Sequence, residues 1–290
     1  YLQAVPGFFT GGQEKSHSKR YTKDKNIKFD INWQMNNHHN IKAGIDILKH
    51  NIKNNYYTIR SNPDSSHYSP YIFPDTTLTT YNDIFEVKPY EFSAYIQDKM
   101  EFDAMVINLG FRLDNFDPKT LFPTEYRNPL NLINEVDTSS YESAPSQTQI
   151  SPRFGLAYQV ADEAVLHFSY GHFFQMPPFY AMYNRSDWLV PSGNYETIMG
   201  NPNLSSENTI SYEIGLWQRI NKFMSLDINL YYRDIYELLA TKTITTFNQV
   251  KYGLYTNKDY GNVRGLEIKF DVLYNQINFM TNYTLQYTRG

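Results

Sequence analysis

Residues 224–233 read MSLDINLYYR, and the order of these side chains decides the fold class. Apolar residues occupy every second position, at Met224, Leu226, Ile228 and Leu230, with serine, aspartate and asparagine between them. Successive side chains of a strand point to opposite faces, so this period predicts a β-strand with one apolar and one polar face. The aspartate in mid-strand indicates that the polar face meets water, and the tyrosines at the end are typical of a membrane interface.

The same alternation recurs along the chain. It is clear in NIKFDINWQ (26–34), NIKAGIDIL (40–48), MVINLGFRLD (105–114), VLHFSYGHF (165–173), RGLEIKFDV (264–272) and INFMTNYTLQYT (277–288). Segments near 90–102, 150–160 and 209–219 behave similarly. The sequence therefore predicts about ten strands of about 10 to 18 residues, which is longer than the strands of about 5 or 6 residues in soluble sheets.

Composition narrows the class of protein. Of the 290 residues, 17% are aromatic and 41% are hydrophobic; the net charge is -4 and there is no cysteine. These values exclude a disulfide framework and give no sign of nucleic-acid binding. No apolar run is long enough for a transmembrane helix, and no signal peptide is recognised. The combination fits a membrane β-barrel, in which only every second residue of a strand must be apolar.

The predicted connections alternate between short and long. Short ones are expected near 35–40, 102–104, 160–164, 220–222 and 274–276, and long ones near 61–83, 115–149, 174–207 and 236–260. Outer-membrane barrels have short periplasmic turns and long extracellular loops, whereas a soluble sandwich has no reason to sort its loops in this way. We therefore expect the strand over 40–60 to run outward, and the chain to begin and end on the extracellular side.

Polar clusters in the sequence do not form a convincing reactive site. His167 and His172 are five residues apart, so within a strand they point to opposite faces and cannot share a metal ion. The run NNHHN at 36–40 is interpreted as a polar turn, and Asp98 and Asp103 as solvated carboxylates. We therefore predict no metal ligand, no catalytic residue and no cofactor.

Several blocks of the sequence resemble a known family. They are YIQDKMEF (95–102), INLGFRLDNFDP (107–118), ISPRFGLAYQV (150–160), AVLHFSYGHFFQMPPF (164–179), LDINLYYRDIYELL (226–239) and YTNKDYGNVRGLEIKF (255–270). The most specific block is GNPNL at 200–204, followed by Glu207 and Tyr212-Glu213, with Ser206 where the family usually has proline. From about Arg20 onward the chain is similar to the barrel half of TonB-dependent outer-membrane receptors, above all the large receptors of Bacteroidetes-like bacteria.

The resemblance implies an all-β fold, an antiparallel transmembrane up-and-down β-barrel of which the chain supplies about ten of about 22 strands. Residues 1–290 are then part of one barrel domain, and the N-terminal plug and the remaining strands are absent. The implied activity is active import of a scarce nutrient such as a siderophore, an oligosaccharide or a peptide. The implied location is the bacterial outer membrane, with its lipid as one partner and the TonB energy-coupling complex, acting through the plug, as another. A surface lipoprotein is a further candidate partner, and nucleic acid is not expected.

A second interpretation is a complete ten-stranded outer-membrane protease or an adhesin. A protease of this kind needs aspartate and histidine side chains that converge at the outer rim. Asp64, His67, Asp114 and His172 lie in or near the predicted outer loops, so the alternative stays open at this point.

The candidate substrate-binding residues lie at the predicted outer rim. Arg112 and Arg233 are expected to point inward near the extracellular mouth, with Asp114 beside the first, and Tyr183 and Trp188 lie in a long aromatic loop. We predict that these five residues contribute to substrate capture, because loops on a rigid scaffold commonly carry binding function. In the alternative interpretation the arginines pair with carboxylates of the lumen or plug, and the loop aromatics pack on each other.

Overall fold

The computed structural model describes residues 15–61, 70–72, 82–134, 136–189 and 197–290. Nearly all its regular structure is strand. The elements are β1 Lys15–Gln34, β2 His39–Ser61, β3 Pro70–Ile72, β4 Asn82–Val87, β5 Tyr90–Phe102, β6 Met105–Asp117, β7 Leu121–Pro123, β8 Tyr141–Ser143, β9 Gln147–Ala161, β10 Ala164–Gln175, α1 Phe179–Tyr183, β11 Ile198–Met199, β12 Glu207–Asn221, β13 Met224–Thr245, β14 Lys251–Tyr274 and β15 Ile277–Arg289. Within these residues, no helix is both long and apolar enough to cross a membrane.

The strands form one continuous wall. A 13-stranded sheet contains the long strands in the order β1-β2-β5-β6-β9-β10-β12-β13-β14, and β15 pairs with β14. Every pair along this path is antiparallel, and the path follows the order of the long strands along the chain. The short strands β3 and β4 pair with the C-terminal half of β2, and β11 pairs in parallel with β14. The predicted all-β, up-and-down architecture with about ten long strands is confirmed.

The two faces of the wall carry the side chains that the alternation predicts. Ile228 is in register with Leu216 and Ile268, and Asn229 is in register with Gly215 and Glu267. On the first strand, exposed fractions reach 69% for Ile27, 58% for Phe29, 50% for Ile31 and 56% for Trp33. An apolar face left this open in a folded chain is suited to lipid rather than to water.

Side chains on the polar face reach across glycines to the next strand but one. Three such crossings among the described residues are Tyr95 to Asp30 over Gly44 (2.7 Å), His167 to Asn229 over Gly215 (2.7 Å) and Tyr231 to Gln286 over Gly265 (2.8 Å). A Cβ at Gly215 would lie 2.0 Å from the Asn229 Oδ1 and 2.2 Å from the His167 Nε2. The glycines therefore let polar side chains lie flat against the wall and connect three strands at a time.

The two histidines of β10 lie on opposite faces, as their spacing predicts. His167 bonds to Asn229 on the polar face, whereas His172 bonds through its Nε2 to the hydroxyl of Tyr170 at 2.5 Å on the apolar face. At the start of β2, the Nδ1 of His39 lies 2.7 Å from the Oδ2 of Asp98 in β5. The contact between Tyr170 and His172 lies within one strand, whereas the other two contacts join different strands.

The short turns lie where they are predicted, but one long connection is wrong. Turns follow β1, β5, β9, β12 and β14 at the short-loop end. The region 115–149 and the region 174–207 contain long connections, and most of 61–83 lies outside the described residues. By contrast, the predicted loop at 236–260 is a tall hairpin, because β13 continues to Thr245 and β14 begins at Lys251. Alternating threonine, isoleucine and tyrosine residues pair there, beyond an irregularity at Ile235–Leu238.

The buried core lies at the long-loop end rather than within the wall. Residues 118–134, 136–146, 176–189 and 197–206 pack with the upper parts of β2, β4, β13 and β14, and we name this assembly the cap. One cluster contains Met182, Tyr183 and Leu204 together with Ile52 and Phe116. A second cluster contains Trp188, Met199, Tyr252 and Leu254. The cap thus has an apolar interior of its own, which the wall does not have.

Candidate functional site

The polar face of the wall contains a hollow of 830 Å³ just below the cap, which we name the basin. Strands β1, β5, β6, β9, β10, β12 and β13 all contribute to its lining. Small residues create the hollow, since Gly110, Gly155, Gly171, Ser169 and Ser211 add little or no side-chain volume there. The basin is therefore a consequence of register, which brings small residues of neighbouring strands together on one face.

Two arginines stand on either side of these small residues. Arg153 is in register with Gly110 and Gly171, and Ser211 is in register with Gly171 and Arg233. Arg153 and Arg233 are thus three strands apart, which is about 14 Å at the usual strand spacing. Their side chains lean on aromatic rings, since the Arg153 Cζ lies 4.8 Å from the centroid of Phe173 and the Arg233 Cζ lies 4.9 Å from that of Tyr231. Such ring contacts hold a guanidinium in place without neutralising it.

Arg112 differs because it is paired. Its Nε donates to both oxygens of Asp114 at 2.9 Å, and its Nη2 lies 2.8 Å from the Asp114 Oδ1. The Asp114 side chain is 8% exposed and that of Arg112 is 37% exposed. This charge-assisted pair fixes Asp114 against the wall and keeps one edge of the guanidinium accessible. The sequence alternative, in which an arginine pairs with a carboxylate of the lumen, is therefore realised for Arg112.

The basin has an excess of positive charge. Four cationic side chains and one carboxylate line it, namely Lys28, Arg112, Arg153, Arg233 and Glu213. Lys28 lies 3.3 Å from Asp30 and Arg112 pairs with Asp114, so the uncompensated positive charges are those of the other two arginines. Among the described residues, neither Arg153 nor Arg233 lies within ion-pair distance of a carboxylate. Two exposed guanidinium groups in a concave surface are suited to hydrogen bonding with carboxylate or phosphate oxygens.

Tyr183 and Trp188 lie inside the cap and not on its surface. The exposed fraction is 1% for Tyr183 and 2% for Trp188. The hydroxyl of Tyr183 donates to the carbonyl of Pro118 at 3.0 Å, which ties α1 to the end of β6. Trp188 has a left-handed backbone, with a φ of 56°, and packs against Tyr126. The structure brings Arg112, Asp114 and Arg233 to the polar face and keeps the two aromatics apart from them as core residues.

The GNPNL block at 200–204 connects the segment around α1 to β14 by hydrogen bonds. Gly200 donates to the carbonyl of Asn184 at 2.7 Å, and the backbone of Asn201 donates to Ala181 at 2.7 Å. The side chain of Asn201 donates to the carbonyl of Tyr255 at 2.9 Å, which ties this connection to β14. A Cβ on Gly200 would lie 2.6 Å from the nitrogen of Asn184, so only glycine allows this close approach.

A family model described as "TonB dependent receptor-like, beta-barrel" matches residues 2–290 of this chain. The chain belongs to this family of TonB-dependent receptors. Its short turns are then the periplasmic ones, the cap is extracellular, the apolar face meets lipid and the polar face lines the lumen. The predicted outer-membrane location is confirmed by this membership, whereas the narrower similarity to Bacteroidetes-like receptors stays a prediction.

Solved structures share the fold of the receptor chain. The iron transporter FrpB of Neisseria meningitidis, in its apoprotein form, superposes with a TM-score of 0.60 at 15% identity over 94% of this chain and 37% of its own. The copper transporter OprC gives 0.61 at 13% over 94% and 39%. The Serratia marcescens hemophore receptor HasR, in complex with its hemophore HasA and heme, gives 0.58 at 13% over 96% and 43%. No curated protein sequence matches the chain. The chain thus spans less than half the length of these structures, and at this identity they share its fold alone.

The protease alternative finds no geometric support in the described residues. Asp114 is occupied by Arg112 on the lumen face, and His172 bonds to Tyr170 on the lipid face. The other two residues of that hypothesis, Asp64 and His67, lie outside the described residues. Across the described ranges, no group of three or more metal-ligating side chains is present.

Burial raises the pKa of two carboxyl groups in the cap. Desolvation raises the pKa of Asp83 to about 6, and the positive charge of Arg185 opposes the shift. Asp83 accepts a hydrogen bond from Asn54 at 2.9 Å through its Oδ2. Burial also raises the pKa of Asp187, which lies 3.7 Å from Arg185. The cap of the receptor therefore contains two carboxylates whose charged forms are costly.

Sequence reasoning missed Arg153, Phe173 and Glu213 as basin residues. The sequence does indicate that Arg153 faces the lumen, because Ser151, Arg153 and Gly155 occupy every second position and so share the polar face of β9. What the sequence did not reveal is that Arg153 lies opposite Arg233 across small residues, since this depends on the register of four strands.

Proposed function

We propose that this receptor chain forms part of the wall and mouth of an outer-membrane importer, and that the imported solute carries negative charge. The proposal rests on the two exposed arginines of the basin, Arg153 and Arg233, whose guanidinium groups have no carboxylate partner among the described residues. Family membership supports import as the activity, driven by the TonB energy-coupling complex through a plug that fills the barrel. A scarce nutrient such as an anionic metal chelate, a charged oligosaccharide or an acidic peptide fits this chemistry.

Within this proposal the five predicted rim residues have two different roles. Arg112 and Arg233 contact the solute from the lumen wall, and Asp114 orients Arg112. Tyr183 and Trp188 act indirectly, because their burial holds the cap in the shape that leaves the basin open. No catalytic step is proposed, and no resident cofactor. A surface lipoprotein remains a candidate partner for the extracellular cap.

The proposal is tested on the full-length receptor in detergent, without energy input. Calorimetric titrations compare an iron(III) tricarboxylate chelate, neutral maltoheptaose and a neutral tetrapeptide as probes. We expect the anionic chelate to bind more tightly than either neutral probe. Arg153→Gln and Arg233→Gln should each weaken its binding about tenfold, the effect expected on losing a charge-assisted hydrogen bond.

The matched control is Arg219→Gln. Arg219 lies on the same face near the periplasmic end, with its Cζ 5.7 Å from the centroid of Trp217, so it also stacks on a ring but is remote from the basin. Tighter binding of a neutral probe, or equal effects of all three substitutions, would contradict an anionic solute at this site. If the arginine variants loosen the plug but leave binding unchanged, the arginines pair with plug carboxylates instead.

A further inference from the structure

The lipid face of the receptor contains a groove that the transport proposal does not use. It has a volume of 570 Å³ and lies between β10 and β15. Its apolar lining comes from Phe168, Ile214, Leu230, Leu266 and Leu285. Leu230 is 52% exposed and Leu285 is 39% exposed, so the groove opens to the membrane side. Its apolar lining is suited to hydrocarbon chains.

One cationic side chain lies at the extracellular end of this groove. Arg264 is an exposed lining residue, in register with Tyr232 on one side and Tyr287 on the other. Below it, the lipid-facing positions of β14 are Leu266, Ile268, Phe270 and Val272, and the strand ends at Tyr274. Ten residues separate Arg264 from Tyr274, which at about 3.4 Å each and a tilt of about 40° is about 26 Å of membrane thickness. Arg264 therefore lies at the outer boundary of the hydrocarbon region, where headgroups begin.

Arg264 has no ion-pair partner among the described residues. The carboxylate of Asp234 is on the same face; it accepts hydrogen bonds through its Oδ1 from the hydroxyls of Tyr232 (2.9 Å) and Tyr260, and it is not within ion-pair distance of Arg264. An arginine on the lipid face of a barrel is costly near mid-bilayer and tolerated at the interface, where an anionic group can meet it. The guanidinium thus offers donors to a ligand that approaches from the membrane.

From this arrangement we infer that the groove is a binding site for a phosphorylated lipid of the outer leaflet. The phosphate accepts hydrogen bonds from the Arg264 guanidinium, and the acyl chains lie in the groove along Leu230, Leu266 and Leu285. Tyr232 and Tyr287, which also line the groove, are in register with Arg264 on either side of it and therefore lie at the level of the headgroup. The site is independent of the imported solute, because the basin is on the opposite face of the wall.

The test uses the full-length receptor in a non-ionic detergent and native mass spectrometry. The probe is dioleoyl phosphatidic acid, compared with dioleoylglycerol, which has the same chains without phosphate, and with dihexanoyl phosphatidic acid, which has the phosphate on short chains. We expect only the dioleoyl phosphatidic acid to remain bound. Arg264→Gln should lower the bound fraction roughly tenfold, because a charge-assisted contact is lost. Arg219→Gln, on the lumen face, should leave it unchanged.

Three results would overturn the inference. They are equal retention of dioleoylglycerol, equal retention by the two glutamine variants, and displacement of the dioleoyl lipid by inorganic phosphate at equal concentration. The comparison among lipids uses the unaltered receptor, so it remains decisive if a variant fails to assemble.

Discussion

The wall and the cap of this receptor chain are built from similar residues but are stabilised by different surroundings. On the wall, large side chains such as Ile27 and Phe29 are 69% and 58% exposed, and the lipid must cover them. In the cap, Trp188 and Leu254 are 2% and 0% exposed and are covered by the protein itself. The exposed fraction of an apolar side chain must therefore be interpreted separately for the wall, where lipid covers it, and for the cap, where the protein covers it. A substitution should act through the membrane in one region and through packing in the other.

The largest effect is expected in the cap. Trp188→Ala removes a fully buried ring and should destabilise the cap locally by about 3–5 kcal/mol. Hydrogen exchange of amides in 176–189 and 197–206 should accelerate, and exchange in the wall strands should stay slow. Tyr180→Ala, at a side chain that is 53% exposed in the same connection, is the control. Equal protection in the two variants would show that the cap does not depend on its core.

The next effect tests the faces of the wall. Ile228→Arg places a charge on lipid near mid-bilayer, which costs about 2–4 kcal/mol and should block membrane assembly. Asn229→Arg faces the lumen and should assemble, with a loss of about 1 kcal/mol because the bond to His167 is removed. Assembly is measured by heat-modifiable mobility on gels. Similar yields of the two variants would mean that the faces are wrongly assigned.

A smaller effect is expected where polar side chains cross a glycine. Gly215→Ala would bring its Cβ within 2.0 Å of Asn229 and should break the His167–Asn229 bond, at a cost of about 1–2 kcal/mol. Gly110→Ala is the matched control, since its Cβ would meet no described atom closer than 3.5 Å. Urea titration of the refolded receptor compares them. The crossing carries no stability if both variants unfold at the same urea concentration.

The smallest effect concerns pH and is confined to the cap. The pKa of Asp83 is raised from 3.8 to about 6 in the folded protein, so protonation favours the folded state. The stabilisation is fully present below about pH 4 and is lost as the pH rises through about 6. Amide exchange in the cap, corrected for its intrinsic pH dependence, should therefore be slower at pH 4 than at pH 7.

Asp83→Asn should remove most of this dependence. The remainder is assigned to Asp187, whose pKa is also raised by burial. A cap that becomes more protected as the pH rises from 4 to 7 would contradict the sign of both shifts.

Local patterns predicted most of the wall but little of the cap. The alternation around Ile228 and Asn229 is sufficient to assign their faces, because side-chain direction in a strand depends only on the neighbouring residues. A loop is expected at 236–260, where the structure has a hairpin, because the residues that pair there find their partners across the hairpin and not in a local pattern. Tyr183 and Trp188 were predicted at the rim, and whether they affect binding stays a prediction; their burial comes from contacts with β6 and β14 that no local pattern contains.

The sequence by itself therefore determined most of the long strands, their two faces, the short turns and, through its motifs, the family. Each of these depends on residues that are close along the chain or on the order of recognisable blocks. Only the tertiary structure decided that Arg153 and Arg233 face each other across a basin, that Asp114 is held by Arg112, and that Arg264 stands above a groove open to lipid. These features depend on the register of strands that are far apart in sequence, and register is set by pairing along the whole sheet rather than by any one segment.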